Sequence, residues 1–316
     1  MIAFESVFFQ RSDINLNRNF PESQRNRPTV FALDMLQNVC QTCEIMSATP
    51  PLLRAEQVRR VYVRDGNEVP ACANITFSIN KGEFVCIVGP SGCGKTTLLK
   101  CICHLLKPSA GKVFINEREI ERPPKEMILI FQDYSRSLFP WRTVLKNVLF
   151  VLEKKNLTRK ERLDIARSAL DAVYLSGFEN HYPWELSGGM QQRVAIARGI
   201  AFNPDILLMD EPFASVDAQT RSDLEDAILE IWNKFSQTIL LVTHDIEEAI
   251  YLADRVLVLS GRPSEIREEI RIDLARPRNQ LTTKEDKQFI EYRHHIYTLI
   301  KEEGQKCERA GVCQDV

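Results

Sequence analysis

Apolar and polar residues alternate along Ala73–Ile79: Ala73, Ile75, Phe77 and Ile79 fall on one side, Asn74, Thr76 and Ser78 on the other. A period of two marks a strand with one buried and one wet face. The whole of Leu53–Ile79 reads as antiparallel strand material, closed by a turn at Asn80-Lys81-Gly82. The pattern then changes. Phe84–Val88, Met127–Phe131, Ile206–Met209, Thr238–Val242 and Val256–Leu259 are short unbroken apolar runs, as expected of strands covered on both faces. Elsewhere the period lengthens. Residues 143–180 read as helical, with Leu163, Ile165, Ala166, Leu170 and Val173 forming a stripe within Arg159–Tyr174. Further helices are predicted from Thr97 and over Glu185–Phe202, Ala218–Phe235 (with Asp217 as its cap) and Glu247–Ala253. A short hairpin is expected near Gly111–Asn116. Strands alternating with helices predict an α/β fold with a mostly parallel sheet. Past Pro263, Ile266–Ile272 is strand-like, and Phe289, Tyr292, Ile296, Leu299 and Ile300 predict a last amphipathic helix that packs on the core.

The two ends differ from this regular middle. Residues 1–50 are polar and irregular, with no sustained period before Leu53. Because Met46 stands just ahead of the first strand, residues 1–45 are expected to be a dispensable extension or the product of an upstream-misplaced start. Nine cysteines are scattered, several within predicted strands and helices (Cys86, Cys101, Cys103), which suits buried reduced thiols better than a disulfide framework. Cys40 and Cys43, taken with Cys307 and Cys313, leave two readings open: a four-thiolate zinc site, or incidental thiols near the chain ends. Lys+Arg 41 against Asp+Glu 43 gives a formal charge of −2, so no global basic field points to a nucleic-acid partner. No apolar run reaches the ~18 residues that span a bilayer. Nor does a basic flank with an apolar segment open the chain, and a cytoplasmic location is expected.

Candidate chemistry concentrates after the first apolar run. Gly89-Pro90-Ser91-Gly92-Cys93-Gly94-Lys95-Thr96-Thr97 fits G-x-x-x-x-G-K-[ST], between a predicted strand and a helix start. Backbone N–H groups and the positive end of a helix dipole meet a phosphate in that geometry. Lys95 is expected to supply a cation to the β/γ-phosphates and Thr96 a hydroxyl to Mg²⁺. Cys93, inside the loop, is expected to react with thiol reagents, with ATP protecting it. Ile206–Met209 runs into Asp210 and Glu211. An acid at the carboxyl end of a buried strand beside a phosphate loop is placed to hold Mg²⁺, so Asp210 is the metal-side acid and Glu211 the candidate general base for water.

Leu186-Ser187-Gly188-Gly189-Met190-Gln191-Gln192-Arg193 offers a second helix start with free N–H groups. Together with the loop and the paired acids, it resembles the signature motif of ATP-binding-cassette (ABC) ATPases, a likeness spanning about residues 54–300. The resemblance implies a P-loop NTPase (RecA-like) α/β cassette with an antiparallel β-subdomain and an inserted α-helical subdomain. The implied division is an extension over 1–50, the ATPase domain over 51–262 with the helical insert at about 133–205, and a tail over 263–316. It also implies roles. Gln132 looks like the glutamine that reaches Mg²⁺ and the attacking water, His244 like the switch histidine at the γ-phosphate, and Tyr62 like the aromatic that stacks on adenine. Ala214-Ser215-Val216-Asp217 looks like the loop that crosses to a second copy. In this family two cassettes pair head to tail, with ATP between the phosphate loop of one and Ser187, Gly188 and Gly189 of the other.

Ser137-Leu138-Phe139-Pro140-Trp141 is apolar and expected to be exposed, on the segment that meets a membrane partner in this family. That segment, Tyr182-Pro183-Trp184-Glu185, and Gly261-Arg262-Pro263 followed by Asp273-Leu274-Ala275-Arg276-Pro277-Arg278 look like the nitrate/sulfonate/taurine importer subfamily. The implied protein is a peripheral ATPase on the cytoplasmic face of the membrane. It would energise permease subunits and, through them, serve a periplasmic or lipoprotein solute-binding protein. The competing reading is a soluble cassette ATPase acting outside transport.

Overall fold

The computed structural model describes residues 50–310 except 65, 134–136 and 215; for 64 and 307–310 it describes the backbone alone. Cys40, Cys43, Cys313, the Cys307 side chain and Ser215 lie outside what is described. β1 (Leu53–Arg64) and β2 (Asn67–Ile79) pair antiparallel, and β1 also pairs with β4 (Ala110–Ile115), which carries the short β5 (Arg118–Glu119). These form a four-stranded sheet in the order β2-β1-β4-β5. The alternation in Ala73–Ile79 is realised directly: Ile75, Phe77 and Ile79 are buried.

A six-stranded sheet forms the centre, with β3 (Phe84–Val88), β6 (Met127–Ile130), β7 (Ile206–Asp210), β8 (Thr238–Val242), β9 (Arg255–Leu259) and β10 (Ile266–Arg271) in the order β10-β9-β3-β8-β7-β6. All neighbours run parallel except β10, which is antiparallel to β9. The unbroken apolar runs follow from burial on both faces. Phe84, Cys86, Val88, Leu207, Met209, Ile239 and Leu241 enter one core. Their alternates Val85, Ile87, Ile206, Leu208, Leu240 and Val242 enter the other.

α1 (Lys95–Ile102) follows β3 and packs in the second core, while α2 (Val144–Phe150), α3 (Arg159–Asp171) and α4 (Gly188–Phe202) lie between β6 and β7 in the chain. α5 (Ala218–Phe235), α6 (Ile246–Leu252) and α7 (Lys287–Ala310) complete the set. Residues 143–180 are thus not one helix but two, with turns between. Thr158 starts the second helix: its hydroxyl accepts from Glu161 N (3.2 Å) and Glu161 Oε2 from Thr158 N (2.7 Å), a reciprocal cap. The last helix packs as expected, burying Phe289, Ile296 and Leu299. The five described cysteines, Cys72, Cys86, Cys93, Cys101 and Cys103, are free and buried. Among the described residues no helix is long and apolar enough to cross a membrane, and no group of three or more His, Cys, Asp or Glu could hold a metal ion.

A candidate nucleotide site at the strand ends

β3, β8, β7 and β6 are neighbours, and all four point their carboxyl ends at one edge. Ligands bind at such edges in parallel sheets, because loops and helix N-termini converge there. Gly89–Gly94 follow β3, Gln132 comes two residues after β6, Asp210 ends β7 with Glu211 next, and His244 follows β8 by two. Ser91, Gly92, Gly94, Lys95, Thr96, Thr97, Glu211 and His244 line a cavity of ≈ 460 Å³. Tyr62, Gly89, Pro90, Cys93, Gln132, Asp210, Asp217 and the Ser187–Gly189 segment are not part of its wall.

On the phosphate-loop side the key charged groups, Lys95 and Asp210, are buried, while Ser91 and Gly92 at the tip of the loop are exposed. Gly94 precedes α1 with φ 111°, and a Cβ there would meet Ala71 O at 3.0 Å, so glycine is required on both conformational and steric grounds. Lys95 is 6% exposed, and its Nζ donates to Gly89 O (2.9 Å) and Pro90 O (3.0 Å). Among the described residues it has no carboxylate at ion-pair distance, so a cation is held in the loop without a counter-ion. Buried charges are normally paired, and a phosphate fits the missing partner. The Thr96 hydroxyl donates to Asp210 Oδ1 at 3.0 Å. Burial pushes the Asp210 carboxyl above its ordinary value, the Thr96 hydroxyl pulls it back, and the charge of Glu211 raises it. A hydroxyl and a carboxylate are hard oxygen donors of the kind Mg²⁺ takes.

The other half is open. Glu211 adopts φ 46°, a left-handed backbone rare for a non-glycine residue and costing on the order of 1–3 kcal/mol. Its N–H donates to Val242 O (2.8 Å), which locks the turn against β8. Gln132 Nε2 donates to Glu211 Oε2 at 3.0 Å. His244 Nδ1 lies 3.1 Å from that same oxygen. Three residues from three separate loops therefore meet on one carboxylate oxygen.

The remaining expected residues are dispersed. Tyr62 OH is 3.3 Å from Thr97 Oγ1, with the Arg60 guanidinium over its ring. Ser187 and Gly188 are exposed, and the Ser187 hydroxyl caps α4 by accepting from Met190 N at 3.3 Å. Asp217 caps α5, accepting from Thr220 N at 3.0 Å. A Cβ on Gly189 would stand 2.9 Å from Val216 Cγ1, so the loop ahead of α5 rests on the start of α4. Two expectations are corrected. Cys93 is only 2% exposed: its side chain turns into the second core and is shielded from reagents. Leu138 is buried as well, so only part of Ser137–Trp141 faces out, with Trp141 72% exposed.

The residues behind α6 carried no signal in the sequence reading. Asp245 Oδ1 accepts from Glu247 N (2.9 Å) and Glu248 N (3.1 Å), while Oδ2 pairs with Arg221 of α5 at 3.1 Å. Glu225 and Glu248 are buried nearby. Acidic positions on the inner face of α5 and α6 were the available cue, but they read as ordinary helix surface without the tail that covers them.

Fold and site together define a nucleotide-binding α/β cassette of the P-loop class. The family model described as "ABC transporter" matches residues 72–214. The chain is 48% identical over 251 residues to the uncharacterized ABC transporter ATP-binding protein MJ0412 of Methanocaldococcus jannaschii, covering 79% of this chain and 92% of that one. It is 43% identical over 254 residues to the nitrate import ATP-binding protein NrtD of Synechocystis sp., covering 79% and 95%. With the aliphatic sulfonates import ATP-binding protein SsuB of Bacillus thuringiensis the identity is 42% over 240 residues, covering 74% and 94%. Among solved structures, the dimeric MJ0796 ABC transporter cassette superposes with a TM-score of 0.63 at 33% identity, over 70% of this chain and 98% of that one. A dimeric post-hydrolysis state of the same cassette, bound to ADP and Pi, gives a TM-score of 0.63 at 32% identity. The chain belongs to the ATP-binding proteins of ABC transporters and is an ATPase.

Proposed function

We propose that this ATPase energises an importer of a small solute of the nitrate, sulfonate or taurine kind, working from the cytoplasmic face of the membrane. The relatives named for nitrate and sulfonate import support that reading; nothing comparable supports a soluble ATPase acting outside transport. The loop Gly89–Thr97 binds the nucleotide phosphates, with Lys95 turning from its carbonyl partners to the β/γ-phosphates, and Tyr62 stacks on adenine. Thr96, Asp210 and the amide oxygen of Gln132 would hold Mg²⁺, which would neutralise phosphate charge when bound. Glu211 takes the proton of the attacking water, oriented by the Gln132 amide that donates to Oε2, and His244 serves the γ-phosphate. A second copy completes the site with Ser187, Gly188, Gly189 and the loop at Asp217. In this reading helices α2–α4 constitute an insert, about residues 133–205, and residues 1–50 and 263–316 flank the ATPase domain. Permease subunits dock where Phe131, Phe139 and Phe150 line a groove of ≈ 350 Å³ close to exposed Trp141, and the solute-binding protein acts through them.

The observation that carries the catalytic reading is the left-handed Glu211 with Gln132 and His244 on one oxygen, beside a loop whose buried Lys95 has no carboxylate at ion-pair distance among the described residues. Glu211→Gln tests it. General-base loss predicts turnover down by about 10³-fold with ATP binding retained; wild-type turnover would remove Glu211 from the role.

A further inference from the structure

His244 is 58% exposed at its side chain, so its place over Glu211 is set by the backbone behind it. That backbone leads directly into α6, a helix of seven residues. So short a helix does not hold itself together in water and depends on what grips its ends. The front end is gripped by Asp245 and, through it, Arg221 of α5. The back end is gripped by the tail. Arg278 Nη1 donates to Ile250 O (3.1 Å) and Tyr251 O (2.7 Å), and Arg276 Nη2 to Leu252 O (3.1 Å) and Asp254 Oδ1 (2.7 Å). Among the described residues Arg278 has no carboxylate at ion-pair distance. Burial holds its guanidinium down to about 10, still cationic at neutral pH. A charged fork spent on the last carbonyls of one short helix is an expensive anchor.

The same segment reaches sideways. Gln280 Nε2 lies within hydrogen-bond distance of Ser222 O (3.1 Å), Glu225 Oε2 (3.0 Å) and Asp226 Oδ1 (3.0 Å), all on α5, its two N–H groups shared among the three. Tyr251 of α6 donates to that Asp226 oxygen at 2.6 Å. One stretch of tail thus braces α6 against α5, the helix that follows the Asp217 loop.

We propose that the tail segment Arg276–Gln280 is a positioning element for ATP hydrolysis, with Arg278 and Gln280 fixing α6 and thereby the height of His244 above Glu211. The proposal rests on the reading of His244 given above. It is tested in the full chain with Arg278→Met and Arg278→Lys, each alone and in a His244→Ala background, by ATP affinity, thermal melting and steady-state turnover. Positioning predicts that Arg278→Met binds ATP like the parent yet turns over about tenfold slower or worse, that Arg278→Lys recovers to within about threefold, and that Arg278→Met adds less than about twofold once His244 is gone. Turnover within about twofold of the parent, or a further loss of about tenfold on top of His244→Ala, would overturn it. Where Arg278→Met melts too low to assay, Gln280→Ala stands in: about a threefold or larger loss of turnover at unchanged ATP affinity supports the proposal, and parental turnover refutes it. If His244→Ala alone keeps parental turnover, the reading of the site fails and takes the proposal with it; if His244→Ala is dead and the tail variants are not, the site stands and only the proposal fails.

Discussion

The two halves of the nucleotide site are built differently. Lys95 and Asp210 are 6% and 2% exposed, set in backbone between two apolar cores. Gln132, Glu211 and His244 come from three loops and meet in a contact open to solvent. The phosphate loop is therefore formed within the single chain, while the Gln132–Glu211–His244 group hangs on short connections that packing behind it must hold. Binding and turnover should accordingly respond to different substitutions.

The sharpest break of that comparison is Lys95→Ala. Removing this buried cation should weaken ATP binding by about 100-fold, measured by titration, and should do so even in the Glu211→Gln background; unchanged affinity would end the distinction. Next is Gly94→Ala. The φ of 111° and the 3.0 Å approach to Ala71 O predict a loss of about 1–3 kcal/mol in stability, seen as a lower Tm with nucleotide affinity reduced alongside. A parental Tm would show that the loop can relax.

Glu248 probes the support behind the open half. Burial, then the charges of Glu225 and Asp245, push its carboxyl well above the ordinary 4.5, against the Thr243 hydroxyl and Arg221. The folded chain keeps this proton to higher pH than the unfolded chain does, so the group's contribution to stability is lost as pH rises from the unfolded value toward the folded one. Glu248→Gln has no proton to lose. The Tm difference, variant minus parent, should therefore grow as pH rises above about 4.5; a flat difference would mean that Glu248 ionises freely in the fold. The smallest effect concerns Cys93: being buried, it should label with maleimide no faster with ATP absent than with ATP present, and rapid ATP-sensitive labelling would contradict its placement.

Much of the buried half was legible in the sequence because local rules act there. Phe84–Val88 and Ile206–Met209 could be read as two-faced strands from composition alone, and Gly94 and Lys95 from spacing. Ser187, Asp217 and Thr158 follow ordinary capping chemistry. The open half was legible only in part: Gln132, Glu211 and His244 could be named, but not that two of them meet one oxygen of the third. The tail was read as a family mark and a packing helix. Its grip on α6 joins residues more than twenty apart through side-chain forks and helix carbonyls, which no periodicity encodes. Cys93 was misjudged for a related reason, since a loop position does not say which way its side chain turns.

In the proposed function, a second copy finishes the site. Sedimentation equilibrium of Glu211→Gln, with and without saturating ATP and Mg²⁺, tests it directly. A doubling of mass with ATP, abolished by Ser187→Arg, is the predicted result. A monomer at full ATP occupancy would contradict the account.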